Sequence, residues 1–341
     1  QIDLVIGTHA LLSEAVNFVD LGLVIVDEQH RFGVEQRDAL RAKAKTPPHL
    51  LVMTATPIPR TVAITVFGDL DISTLTELPL GRAPITTHLV NAITKPAYLE
   101  RAWQRIREEV TAGHQAYVVA PRISSESVED ADIDFLFGIE SKDLNSVTDL
   151  APELSKGSLK GLRIALLHGK LPSEEKEATM LDFSNRKIDV LVSTSVIEVG
   201  VDVPNATVMV IMDADRFGIS QLHQLRGRVG RGEAPGLCLL VTSVAEDSPA
   251  FERLNAVAST LDGFELARID LEQRREGDVL GIAQSGTRSH LKLLRVLRDE
   301  EIINRARSSA ERTLEVGISS ALQIELDKMI KEQEVEYLDK G

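Results

Sequence analysis

An apolar run, Leu21 to Val26, ends abruptly in two carboxylates, Asp27 and Glu28, followed by Gln29 and His30. Short, unbroken apolar runs suit strands of a parallel sheet that is covered on both faces. Similar runs recur at Asp3–Gly7, Leu50–Met53, Ala116–Ala120, Arg163–Leu167, Asp189–Val192, Val208–Met212 and Leu237–Val241. Stretches with helical spacing lie between them. Val34–Lys45 is one, and Tyr98–Ala112 is another, with Trp103, Ile106 and Val110 on one face. This alternation predicts an α/β fold built on parallel sheets.

Pro and Gly cluster at Leu78–Pro84 and mark a boundary. The chain is therefore divided into residues 1–84, 85–247 and 248–341. Within the second part, Ser124–Lys156 carries nine Asp or Glu against two Lys and reads as a surface excursion. The third part is helical. Phe251–Leu261 and Phe264–Arg274 pair as helices around Asp262-Gly263, Gly277–Thr287 reads as a loop, and a helical tail runs from Leu291.

Hydrophobic residues make up 43% and charged residues 26%, the balance of a globular protein and not of a disordered chain. No run approaches the roughly 20 apolar residues that span a bilayer, so no membrane role is expected. The single cysteine, Cys238, lies in an apolar run and reads as a small core residue in a reducing, cytoplasmic setting. The net charge of −14 argues against a basic coat, so any basic groups that meet nucleic acid must be concentrated locally.

A strand that ends in paired carboxylates holds the first one rigidly, where it can bind Mg²⁺ beside a triphosphate. The second can then polarise the attacking water. Asp27 and Glu28 fit those two roles, with Mg²⁺ held by Asp27 through water. Thr54 and Thr56 follow the Leu50–Met53 run and can hydrogen-bond such carboxylates. Gln29 and His30 can relay the nucleotide state. Further along, Gln224-Leu225-Arg226-Gly227-Arg228-Val229-Gly230-Arg231 brings an arginine constellation. Arg228 and Arg231 stand three apart, a spacing that on one helical turn points both the same way, as groups that neutralise a γ-phosphate must.

Asp27-Glu28, Thr54-Ala55-Thr56 and the glycine–arginine run at 224–231, in this order, resemble the superfamily-two helicases. The longer strings 27–34, 53–61 and 221–232 resemble the RecG family of branched-DNA helicases. The resemblance implies RecA-like parallel-sheet motor domains, the first one truncated here, followed by a helical translocation element. It implies ATP and Mg²⁺ as cofactors, with Gln224, Gly200 and Asp202 at the nucleotide. The run 193–204 resembles helicase motif V, which places Thr194 and Ser195 on a DNA phosphate. Thr8 and His9 resemble a further backbone-contact motif, as does His168-Gly169. Arg275 and Gln284 fall in the stretch that matches the translocation element. The implied partner is branched duplex DNA, remodelled in recombination and repair by a monomeric motor associated with the nucleoid. A single-strand-binding protein is an allowed partner.

The transcription-repair coupling translocase shares the motor and the translocation element. It carries a second Glu where this chain has Gln29, and the stretch 78–84 also favours the RecG family. A non-enzymatic module on a helicase scaffold is the alternative of another class, because no Gly-x-x-x-x-Gly-Lys-Ser/Thr occurs: Gly169-Lys170 is followed by Leu171. A fragment without the phosphate cradle and the wedge domain is expected to be inactive alone, with apolar faces left uncovered.

Overall fold

The computed structural model describes residues 3–13, 16–27, 46, 48–54, 73–75, 83–123, 145–198, 202–273 and 300–328. The predicted helix Val34–Lys45 and loop Gly277–Thr287 lie outside them. The chain divides into two compact units, Gln1–Pro57 with Leu78–Ala267, and Ile58–Glu77 with Arg268–Gly341.

The first unit holds two parallel sheets. The smaller pairs β1 (Leu23–Val26) with β2 (His49–Val52), placing Val26 beside Val52. Val24 and Val26 are buried on one face with Leu21 and Leu50 against them. Leu23, Ile25, Leu51 and Met53 on the other face are exposed. Asp3–Gly7, expected as a strand, is not one, and Leu4, Val5 and Ile6 are exposed. A parallel strand needs a neighbour to satisfy its backbone groups. No neighbour for this segment occurs among the described residues.

The larger sheet has six strands: β3 (Ile85–Asn91), β4 (Gln115–Val119), β5 (Ile164–Leu167), β6 (Val190–Ser193), β7 (Ala206–Ile211) and β8 (Gly236–Thr242). Their order is β3-β8-β7-β4-β6-β5, and every pairing is parallel. Strands β4, β6 and β7 are buried at every position, as their unbroken apolar sequences predict. β3 (ITTHLVN) is an edge strand whose burial alternates, so no apolar run marks it.

Helices α1 (Pro96–Thr111), α2 (Val147–Lys156), α3 (Ser173–Ser184) and α4 (Ile219–Arg226) belong to this sheet's unit. α1 starts at Pro96, whose fixed φ suits a first helical position. It buries Trp103 and Ile106 in the core with Val118, Val190 and Val208. α2 corrects the reading of 124–156 as one surface excursion. Ser146 caps it by accepting from the Asp149 N–H, and Val147, Leu150 and Leu154 join the core. The acidic count obscured an apolar stripe at helical spacing.

α5 (Pro249–Ser259), α6 (Gly263–Gln273) and α7 (Glu300–Val316) follow, with residues 320–328 also helical. The first two match the predicted helix pair around Asp262-Gly263. Cys238 is buried and free, and burial pushes its thiol up to about 12.

Candidate nucleotide and nucleic-acid site

Parallel pairing brings the two strand-end motifs of the first sheet together. β1 ends at Val26 and β2 at Val52 in register, and the Met53 N–H donates to the Val26 carbonyl at 2.8 Å. Asp27 and Thr54 therefore leave neighbouring strands at the same end. Asp27 is exposed. Among the described residues no cluster of three or more His, Cys, Asp or Glu is placed to hold a metal. A single carboxylate still suits Mg²⁺, which keeps most of its waters and takes phosphate oxygens as further ligands. Glu28, Gln29, His30 and Thr56 lie outside the described residues.

Upstream, Thr8 is the cap of a short 3₁₀ turn that begins at His9, and its hydroxyl accepts from the Ala10 N–H at 3.5 Å.

In the second sheet, β5 and β6 pair Leu167 with Ser193. His168 and Thr194 thus emerge side by side, and the Thr194 N–H donates to the Leu167 carbonyl at 3.3 Å. Ser195 is half-buried and opens a 3₁₀ turn, Ser195–Glu198. Two buried polar atoms at these strand ends, His168 Nδ1 and Ser193 Oγ, have no hydrogen-bond partner among the described residues. Unpaired buried polar atoms are unfavourable, and a site that binds an anion or water is one place where they occur. Gly200 lies outside the described residues, as do Arg275 and Gln284.

The arginine run departs from its expected form. α4 ends at Arg226, with Gly227 at its C-cap, so Arg228 lies beyond the helix. Gly230 then takes φ 67°, a left-handed conformation. Arg228 and Arg231 therefore sit on a loop and not on one helical turn. The loop is held by Arg231, whose Nε donates to the Gly227 carbonyl at 2.9 Å and whose Nη1 meets Asp202 Oδ1 at 3.2 Å. The pair joins the loop to the segment that resembles motif V. Both partners are accessible, so it contributes at most about 1 kcal/mol to stability. Gln224 lies half-buried on α4. Gly232 completes the seat: a Cβ there would fall 2.6 Å from the Pro204 carbonyl oxygen.

Tyr117 of β4 is buried, with its ring against Phe183 at a centroid distance of 5.0 Å. Burial pushes its phenol up to about 12. Arg228 and Arg231 pull it down and Asp202 raises it, so the Tyr117 phenol feels both arginines.

Sequence reasoning missed Arg226. Ile219, Leu222, Leu225 and Arg226 form the buried face of α4, and Arg226 is 2% exposed. Its Nη1 donates to the carbonyls of Val257 at 2.6 Å and Thr260 at 2.8 Å, and its Nη2 meets His223 Nδ1 at 2.8 Å. The helical period that places Arg226 beside Leu222 was the signal. The arginine-rich motif around it suggested ligand contact instead.

Comparison with known proteins agrees with this layout. The DEAD/DEAH box helicase family matches residues 1–64, the helicase conserved C-terminal domain matches 102–233, and domain 3, C-terminal, of the ATP-dependent DNA helicase RecG matches 260–335. The ATP-dependent DNA helicase RecG of Mycobacterium tuberculosis (strain ATCC 25618 / H37Rv) is 56% identical over 100% of this chain and 46% of its own length. That of Synechocystis sp. (strain ATCC 27184 / PCC 6803 / Kazusa) is 46% identical over 91% of this chain and 35% of its own. The chain thus spans less than half the length of these relatives. A solved structure of RecG bound to a three-way DNA junction is 40% identical, with a TM-score of 0.61, over 89% of this chain and 36% of that one. Identity along the full length, the match to RecG's own third domain and the shared fold lead to one conclusion: the chain belongs to the RecG family of ATP-dependent DNA helicases.

Proposed function

We propose that this chain is part of an ATP-driven motor that moves on duplex DNA and remodels branched DNA. The observation that carries the reading is the arginine loop, held on the motif V segment by Arg231 and Asp202 in a half-exposed ion pair that contributes little to stability. Groups fixed without a structural need suit a ligand, and two guanidinium groups on a short loop suit a γ-phosphate. In this reading Asp27 holds Mg²⁺ through water, and the cation supplies charge neutralisation at the phosphates. Glu28 orients the attacking water. Gln224, Gly200 and Asp202 bound the nucleotide, and Arg228 and Arg231 stabilise the charge that develops on the transferred phosphoryl group.

Thr8, His9, Thr194 and Ser195 contact the DNA backbone, with Arg275 and Gln284 in the translocation element. His168 Nδ1 and Ser193 Oγ, buried beside Thr194 with no hydrogen-bond partner among the described residues, support a phosphate-binding strand end. Thr54, Thr56, Gln29 and His30 couple nucleotide state to the rest of the motor. Branched DNA is the partner in this reading because a RecG of known structure is bound to a three-way junction. We read the boundaries as 1–84, 85–247 and 248–341, the setting as the bacterial cytoplasm at the nucleoid, and the motor as a monomer. A single-strand-binding protein is a further partner. A transcription-coupled motor is less favoured, since the match at 260–335 is to RecG.

Glu28→Gln in the full-length protein tests the reading. Hydrolysis of ATP on a three-way junction is expected to disappear while nucleotide binding persists. Retained turnover contradicts the assignment.

A further inference from the structure

The chain enters the larger sheet through Ala83 and Pro84, which lead into β3. β3 is an edge strand, and its one neighbour among the described residues is β8. β8 is also the strand into which the arginine loop runs, since only residues 227–235 separate α4 from it. The start of β3 and the end of the arginine loop therefore meet. Ile85 is in register with Gly236, and the Gly236 N–H donates to the Pro84 carbonyl at 2.9 Å.

The contact is tight on every side. A Cβ at Gly230 would lie 2.8 Å from Ile85 Cγ1 and 3.4 Å from the Gly236 backbone. A Cβ at Gly236 would lie 3.0 Å from Gly230 N and 3.1 Å from the same Ile85 carbon. The loop is thus pinched between Gly230 and Gly236, and Ile85 closes the pinch. Gly230 lies one residue from Arg231 and two from Arg228. On its other side the loop is seated on Pro204 by Gly232 and on Asp202 by Arg231.

We propose that Ile85 is a positioning residue for Arg228 and Arg231: by packing on Gly230 it ties the arginine loop to the strand through which the chain enters the second sheet. The proposal rests on the reading that these arginines act at the nucleotide. Packed backbone transmits displacement, because a close-packed contact has no slack to absorb it. A shift of Pro84 moves Ile85, and with it Gly230 and both guanidinium groups. Movement of Pro84 is then coupled to the arginines through Ile85 and Gly230.

The test is a set of variants in the full-length protein, with kcat for ATP on a three-way junction and the affinity for a fluorescent ATP analogue measured together. Ile85→Ala removes Cγ1 and frees the loop, so kcat falls about ten-fold or more while analogue affinity stays within about two-fold. Ile85→Val keeps Cγ1 and retains kcat within about two-fold of the parent. Gly230→Ala lowers kcat as well, because its methyl meets Ile85 and an L residue at φ 67° is strained. Urea unfolding of each variant separates a folding defect from a positioning one, and Ile85→Ala and Ile85→Val decide the matter if Gly230→Ala does not fold. Unchanged kcat in Ile85→Ala overturns the proposal, as does an equal loss in Ile85→Val. Arg228→Ala and Arg231→Ala are measured beside them. Full turnover in both overturns the arginine reading. Loss there with full turnover in Ile85→Ala overturns the positioning role alone.

Discussion

Arg226 Nη1 lies 2.6 Å from the carbonyl oxygen of Val257, so a fully buried guanidinium on α4 is tied to the last turns of α5. The same nitrogen reaches the Thr260 carbonyl, just past the end of that helix. One side chain thus fixes the path by which the chain leaves the sheet for α6. Arg226→Ala removes these charged hydrogen bonds and leaves buried acceptors behind, a loss of about 3 kcal/mol or more. Arg226→Lys recovers only part of it, because one ammonium cannot span both carbonyls and His223. Urea unfolding of the three proteins checks the order.

Asp189 gives an acid-sensitive contact at the start of β6. Burial alone would raise its carboxyl, but the Arg163 side chain and backbone N–H donate to it and hold it below the usual 3.8. A depressed folded value means that the contribution is fully present above the unfolded value and is lost as pH falls through the folded one. The stability gap between the parent and Asp189→Asn is therefore expected to be full at neutral pH and to close below about pH 4. Unfolding curves at stepped pH read this directly, and a gap that widens in acid contradicts it.

Asp202 separates stability from function. Its pair with Arg231 is half-exposed, so Asp202→Ala is expected to change unfolding free energy by less than about 1 kcal/mol. Turnover on DNA is expected to drop about ten-fold or more, because the arginine loop loses one of its anchors. Gly232→Ala, which sets a methyl against the Pro204 carbonyl, acts in the same direction. Equal losses of stability and turnover in Asp202→Ala are the result against this account.

The 341-residue chain holds no phosphate-cradling Gly-x-x-x-x-Gly-Lys-Ser/Thr. Purified by itself it is expected to release no phosphate from ATP above background, with or without branched DNA. DNA-stimulated release by this chain contradicts that expectation.

What the sequence revealed follows from how each element is buried. Strands β4, β6 and β7, covered on both faces, write unbroken apolar runs that are read directly. β3 has one strand neighbour among the described residues and alternating burial, so ITTHLVN reads as neither strand nor helix. α2 was hidden because local charge dominated the reading, although Ser146 and the Val147–Leu150–Leu154 spacing were present. The proposed site residues Asp27, Thr54, Thr194 and Arg231 are each one or two residues past a strand or on a glycine-rich loop, where motif order and not periodicity singles them out. The conformation of the arginine loop was misread, because a spacing of three does not reveal that Gly230 leaves the helical region. Ile85 was invisible, since its role depends on a register between β3 and β8 that no local pattern encodes.

The most direct measurement is steady-state ATP hydrolysis by the full-length protein with and without a three-way DNA junction, for the parent and for Arg231→Ala. The account predicts strong stimulation of the parent by the junction. It predicts a loss of about a hundred-fold or more in Arg231→Ala, with nucleotide affinity within about three-fold. Hydrolysis indifferent to the junction, or a full rate in Arg231→Ala, contradicts it.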